Sequence, residues 1–244
     1  MIGFLRALLF YVFGFSMAAV FAVAVLLVFW APNALGWRIV DGYGRLMLWA
    51  GDFFCGMKVV VEGQENVPDT PSVIMIKHTT TLETYGHVTM FPRTCWVIKR
   101  EITFMPIFGW VIGLVLQPIA IKRSARGAAV KQVIQQGKER LASGLWVTIF
   151  PEGTRVPPGE TRRYGVSGAA LAQEANVPIV PVAHNAGDFW RRREFAKRPG
   201  TVRFVIGPPI SAQGRPPRET NLIVQDWIEG VMREISSAYP KDTA

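Results

Sequence analysis

The chain is poor in the residues that staple, chelate or carry redox chemistry. Its 244 residues include only two cysteines and three histidines. Cys55 and Cys95 stand in neither a metal-ligand nor a redox spacing, and two cysteines do not make a disulfide framework. There is no Gly-x-Ser-x-Gly elbow, so a serine nucleophile of that kind is excluded. Internal repeats and low-complexity linkers are also missing. Acidic residues are in deficit, 18 against 27 Lys and Arg, for a net charge of +9. That balance favours an anionic partner: an acidic membrane surface, a phosphorylated substrate or nucleic acid.

Charge is missing altogether from Ala7 to Trp37. The run from Ala7 to Ala31 is nearly all Leu, Val, Phe and Ala, and roughly 20 apolar residues suffice to span a bilayer as a helix. Pro32 and Asn33 end it. Ala22-Val23-Ala24 fits a signal-peptidase pattern, but the apolar run outlasts a typical signal core, so an uncleaved anchor is expected. A second segment, Gly44 to Met57, mixes Trp49, Phe53 and Phe54 with Arg45 and Asp52. It suits either the membrane interface or a helix packed on the core. Residues 1–57 are therefore read as membrane-anchoring helices, and 58–244 as one α/β domain.

Within that domain, seven β-rich runs stand out: Lys58 to Val61, Val73 to Ile76, Cys95 to Ile98, Ile119 to Ile121, Trp146 to Phe150, Ile179 to Val182 and Val202 to Ile206. Between two of them, Val130, Val133, Ile134, Gly137 and Leu141 repeat at helical spacing, with Ser124 placed to cap the start and Gly144 the end. Val224, Trp227, Ile228, Val231 and Ile235 repeat it near the C-terminus. The alternation predicts an α/β fold with a largely parallel sheet flanked by helices.

Ligands of such sheets gather at the carboxyl ends of the strands. Those ends carry Lys77-His78, Lys99-Arg100, Lys122-Arg123, Pro151 to Arg155 and Ala183-His184. Four of the five junctions hold a cation, which points to a phosphorylated ligand. His78 is followed by three threonines and then Glu83. With a helix opening near Thr80, the Glu83 carboxylate can turn back to one ring nitrogen and leave the other free as a general base. A nucleophile of the protein is not evident, so a substrate hydroxyl is the expected one. In Phe150-Pro151-Glu152-Gly153-Thr154-Arg155, Pro151 and Gly153 force a tight loop after a strand. Arg155 can grip a phosphate bidentately, Thr154 can add a donor, and Glu152 can orient Arg155 or accept from a glycerol. His87 and His184 lack a positioned carboxylate in sequence and read as structural. The cluster Arg191-Arg192-Arg193, Lys197 and Arg198 reads as a solvated face or an attractor of anionic lipid.

Taken together the motifs resemble the 1-acylglycerol-3-phosphate acyltransferase family. That family orders a His, four residues and an Asp; an Arg after a strand; Phe-Pro-Glu-Gly-Thr-Arg; and an apolar Pro-containing strand. The matches are His78 to Glu83, Ile119 to Arg123, Phe150 to Arg155 residue for residue, and Val177 to Val182. Glu83 stands where the family has Asp. The resemblance implies that His78 and Glu83 are catalytic, His78 deprotonating the sn-2 hydroxyl of lysophosphatidic acid. It implies that Arg123 and Arg155, with Lys99 or Lys122, hold the phosphate. The donor would be acyl-CoA or acyl carrier protein, with no metal, cofactor or nucleic acid. Membrane lipids would be partners, and the domain would sit on the cytoplasmic face of the inner membrane. Rival readings are an acyltransferase for another lysophospholipid or a lyso-aminolipid, a membrane-bound thioesterase or hydrolase, and a non-catalytic anionic-lipid binder.

Overall fold

A computed structural model describes residues 1–122 and 126–240. Two long helices come first, α1 (Ile2–Leu27) and α2 (Asn33–Cys55). The order then runs β1 (Met57–Glu62), β2 (Val73–Ile76), α3 (Leu82–Met90), β3 (Thr94–Lys99), α4 (Phe108–Val111), β4 (Ile119–Ile121) and α5 (Arg126–Ala142). It closes with β5 (Trp146–Ile149), α6 (Ser167–Ala175), β6 (Ile179–His184), α7 (Ala186–Phe189), β7 (Gly200–Ile206) and α8 (Pro217–Ile235). Each of the seven β-rich runs is a strand of one sheet, ordered β1-β7-β6-β2-β5-β3-β4. Strands β2 to β6 run parallel, whereas β7 pairs antiparallel to β6 and carries β1 with it. The carboxyl ends of five strands therefore share one edge. The expected cap at Ser124 lies outside the described residues. Gly144, with φ +83°, closes the other end of α5 as expected, its N–H bonding Leu141 O.

Helices cover both faces, which is why β2 is buried along its whole length. Its side chains alternate with period two. Val73 and Met75 face Val133 of α5, Leu171 of α6 and Ile228 of α8. Ile74 and Ile76 face Phe10 of α1, Met47 of α2 and Leu82 of α3. The N-terminal helices thus share a core with the sheet. Gly44 makes this possible: a Cβ there would lie 2.6 Å from Val88 Cγ2 and 3.0 Å from Tyr85 O, so α2 rests directly on α3. Of the two readings of the second apolar segment, packing on the core is seen: α2 buries Met47, Ala50 and Cys55, while Trp49 and Phe53 stay exposed.

Helix α1 is 26 residues long, about 39 Å at 1.5 Å per residue. Both of its ends rest on the domain. Near the start, Arg6 Nε donates to Phe54 O at 2.6 Å and Phe10 meets the Trp190 ring edge-on at 5.4 Å. Near the end, Val25 joins a buried cluster with Trp37, Ile112 and Val115. Yet only 22% of its most apolar stretch is buried, unlike a core helix. Phe104, Met105, Ile107, Trp110 and Leu114, close to that second end, are exposed as well. Together they form an extended exposed apolar surface, of the kind that marks a protein or membrane contact.

Candidate active site

At the end of β2 the chain turns sharply, and Glu83 in the first turn of α3 gathers the turn around itself. Its Oε1 accepts from His78 Nδ1 at 2.8 Å and from Thr79 N–H at 3.1 Å, and Oε2 accepts from Thr80 N–H at 2.9 Å. Glu83 is completely buried. Burial alone would raise its pKa, but the His78 hydrogen bond, the charges of His184 and His78 and the Thr80 amide hold it below the usual carboxylate range. A carboxylate only accepts, so Nδ1 donates its proton to Glu83 and Nε2 is the nitrogen that Glu83 leaves free. The ring lies 4.1 Å from that of Phe150, tilted by 30°. His78 is partly exposed, with 17% of its side-chain surface open to the cavity.

The loop after β5 is fastened to the same turn. Val156 N–H donates to His78 O at 2.8 Å, and Glu152 Oε1 accepts from His78 N–H at 3.3 Å. Gly153 adopts φ +69° in this turn, which a side chain would strain. Glu152 does not orient Arg155. It is buried 3.5 Å from Lys77, whose ammonium sits 2.7 Å from Glu229 of α8. Tyr164, Tyr239 and Thr161 hydroxyls also donate to Glu229, at 2.8, 2.9 and 2.9 Å. Two carboxylates thus share one ammonium. Burial opposes ionisation of Glu229, but the nearer Lys77 bond keeps its pKa low. In Glu152 burial prevails over the more distant Lys77, and its pKa rises to about 7.

The Nε2 side of His78 opens onto a cavity of about 1020 Å³. Trp96, Val97, Ile98, Ile102, Ile112 and Ile121 form an apolar wall, while Lys99, Glu152, Gly153 and Arg155 lie on the polar parts. Lys99 and Arg155 have no side-chain partner among the described residues. Further expectations change. Lys77, counted among the ligand-binding cations, is buried and neutralised inside the fold. Lys122 lines a separate pocket of about 530 Å³ with Arg100 and Phe104, because β4 is the sheet's edge strand. Thr154 does not line the main cavity. Arg123 lies outside the described residues. Lys197, expected on a solvated face, is buried with its ammonium 4.8 Å from the Tyr11 ring centroid and 5.0 Å from that of Trp190.

His87 is structural: Trp96 Nε1 donates to its Nδ1 at 3.3 Å, and Nε2 meets Thr148 Oγ1 at 2.6 Å. Burial lowers its pKa to about 3, so it stays neutral. His184 is closer to the chemistry than sequence spacing suggested. Its Nε2 donates to Lys77 O at 2.7 Å and lies 3.9 Å from Glu83 Oε2. Sequence reasoning also missed Glu229, 152 residues from Lys77. Its signal was a carboxylate one position past Ile228 in the apolar stripe of α8.

Comparison with known proteins bears on this arrangement. A family model described as Acyltransferase matches residues 58–185. A curated 1-acyl-sn-glycerol-3-phosphate acyltransferase of Pseudomonas aeruginosa is 43% identical over 201 residues, covering 81% of this chain and 78% of that one. The mouse 1-acyl-sn-glycerol-3-phosphate acyltransferase alpha is 29% identical, over 79% of this chain and 70% of its own. Among solved structures, the 1-acyl-sn-glycerophosphate (LPA) acyltransferase PlsC from Thermotoga maritima superposes with a TM-score of 0.78. It covers 94% of this chain and 96% of its own at 21% identity, a likeness of fold.

Proposed function

The chain belongs to the 1-acyl-sn-glycerol-3-phosphate acyltransferase family, and on that premise we propose that it acylates lysophosphatidic acid by direct general-base catalysis from an acyl thioester. One observation carries the reading: His78, its Nδ1 held by the buried Glu83, borders a cavity with an apolar wall and cations that have no side-chain partner among the described residues. Nε2 takes the proton of the sn-2 hydroxyl as its oxygen attacks the thioester carbonyl. Glu83 stabilises the imidazolium that forms. Collapse of the tetrahedral adduct breaks the C–S bond, and the imidazolium returns its proton to the departing thiolate. General-base catalysis of this kind contributes about 10²–10⁴ in rate. No step calls for a metal or cofactor, since the thiolate is already a good leaving group.

Arg155 and Lys99 are the cations we assign to the acceptor phosphate, and the apolar wall is the bed for an acyl chain. Helix α1, resting on the domain at both ends, fits a position lying in one leaflet better than one crossing the bilayer. With CoA or acyl carrier protein as donor, the domain faces the cytoplasm. The test is an assay of purified protein with labelled acyl-CoA or acyl carrier protein and a panel of lyso-acceptors. Lysophosphatidic acid should be the best acceptor, and Arg155→Ala should raise its KM without raising that of the donor. Preference for an uncharged lyso-lipid, or fatty acid release independent of any acceptor, would overturn the reading.

A further inference from the structure

The cavity has a second basic side that the acceptor does not need. Arg155 neighbours Tyr85 of α3, on the sheet face that α1 and α2 cover. Arg162, Arg163 and Arg218 line the same cavity from the loop before α6 and from α8, which packs on the opposite face. All three guanidinium groups are exposed and have no side-chain partner among the described residues. They are held in register rather than scattered. Asn221 Nδ2 donates to Tyr164 O at 3.2 Å, and Gln225 Oε1 accepts from Tyr164 N–H at 3.3 Å, so the loop is laced to α8. The same lacing leaves Asn221 Oδ1 without a partner on the cavity wall, in a residue only 6% exposed. A buried amide oxygen left unsatisfied carries a free-energy cost that a ligand donor would remove.

We propose that this side is the subsite for the carrier of the acyl donor, a phosphorylated pantetheine, resting on the function proposed above. Its phosphate groups pair with Arg162, Arg163 and Arg218, and an amide N–H of its arm donates to Asn221 Oδ1. Arg155 then flanks His78 on the face bearing the apolar helices, and the three carrier arginines flank it on the face bearing α8.

Wild type and Arg163→Ala/Arg218→Ala are to be compared with acyl-CoA, acyl carrier protein and an acyl-pantetheine that lacks phosphate. Binding of free CoA is measured alongside. The double variant should raise the acyl-CoA KM about tenfold or more, as expected for two charge-assisted contacts. It should weaken CoA binding to match, leaving the KM values for lysophosphatidic acid and acyl-pantetheine unchanged. A loss confined to acyl-CoA assigns the arginines to the nucleotide phosphates. An equal loss on both carriers assigns them to the pantetheine phosphate. A rise in the lysophosphatidic acid KM, or an equal rise for acyl-pantetheine, overturns the subsite. Undiminished CoA binding by the double variant also overturns it. Wild type that transfers to no lyso-acceptor from any thioester contradicts the function itself, whatever CoA binding shows.

Discussion

The ends of the central strands and the ends of the outer strands carry the same residue types and treat them in opposite ways. After β2, Lys77 is fully buried between Glu229 and Glu152. At the end of β3, Lys99 is exposed on the cavity without a side-chain partner among the described residues. The centre spends its polar groups on one another and holds His78 still; the periphery leaves its cations unpaired. A catalytic base gains from rigid orientation, whereas a phosphate needs cations that are not already neutralised.

The comparison can be broken from either side. The largest effect is expected at Glu83. Glu83→Gln should lower turnover about 100-fold or more through loss of the orienting charge, with Glu83→Asp partly active. Turnover of the Gln variant equal to wild type would show that the carboxylate does not orient the base. Next is Lys77→Met, which strands two buried carboxylates and should cost about 3–5 kcal/mol in chemical denaturation. Adding Glu229→Gln should recover part of that loss, because the two residues share one network. Independent, additive losses would argue against the pairing.

A smaller effect concerns pH. Glu152 has an ordinary pKa of 4.5 raised to about 7 in the fold. Between those values the folded state binds more protons than the unfolded state, so this residue adds stability as pH falls from about 8 to about 5. Glu152→Gln should flatten that part of the Tm profile; an unaltered profile would mean that the fold does not raise the Glu152 pKa. The smallest change is expected outside the site. Trp110→Ser, in the exposed apolar segment beside α1, should weaken binding to anionic vesicles modestly without altering turnover in detergent. Unchanged vesicle binding would remove that segment from the membrane-facing surface.

Much of the fold was legible because buried parallel strands announce themselves as short β-branched runs; all seven were found within two residues at each end. Reversal of β1 and β7 was not legible, since periodicity carries no strand direction. Helix α6 was missed because its buried face is built from Gly168, Ala169 and Ala172 around a single Leu171. In the site, His78 and Glu83 could be paired because five residues and one turn connect them. Lys77 misled because its partners arrive from Glu152 and Glu229, far along the chain. Local sequence shows that a cation stands at a strand end, but not whether a distant carboxylate has already claimed it.

The central claim is that the free nitrogen of His78 removes the acceptor's proton. Its most direct test is turnover of His78→Ala with lysophosphatidic acid and an acyl thioester, in protein whose circular dichroism and CoA binding match wild type. The account predicts a loss of about 10³-fold or more, with partial rescue by added imidazole. Turnover within tenfold of wild type would contradict it.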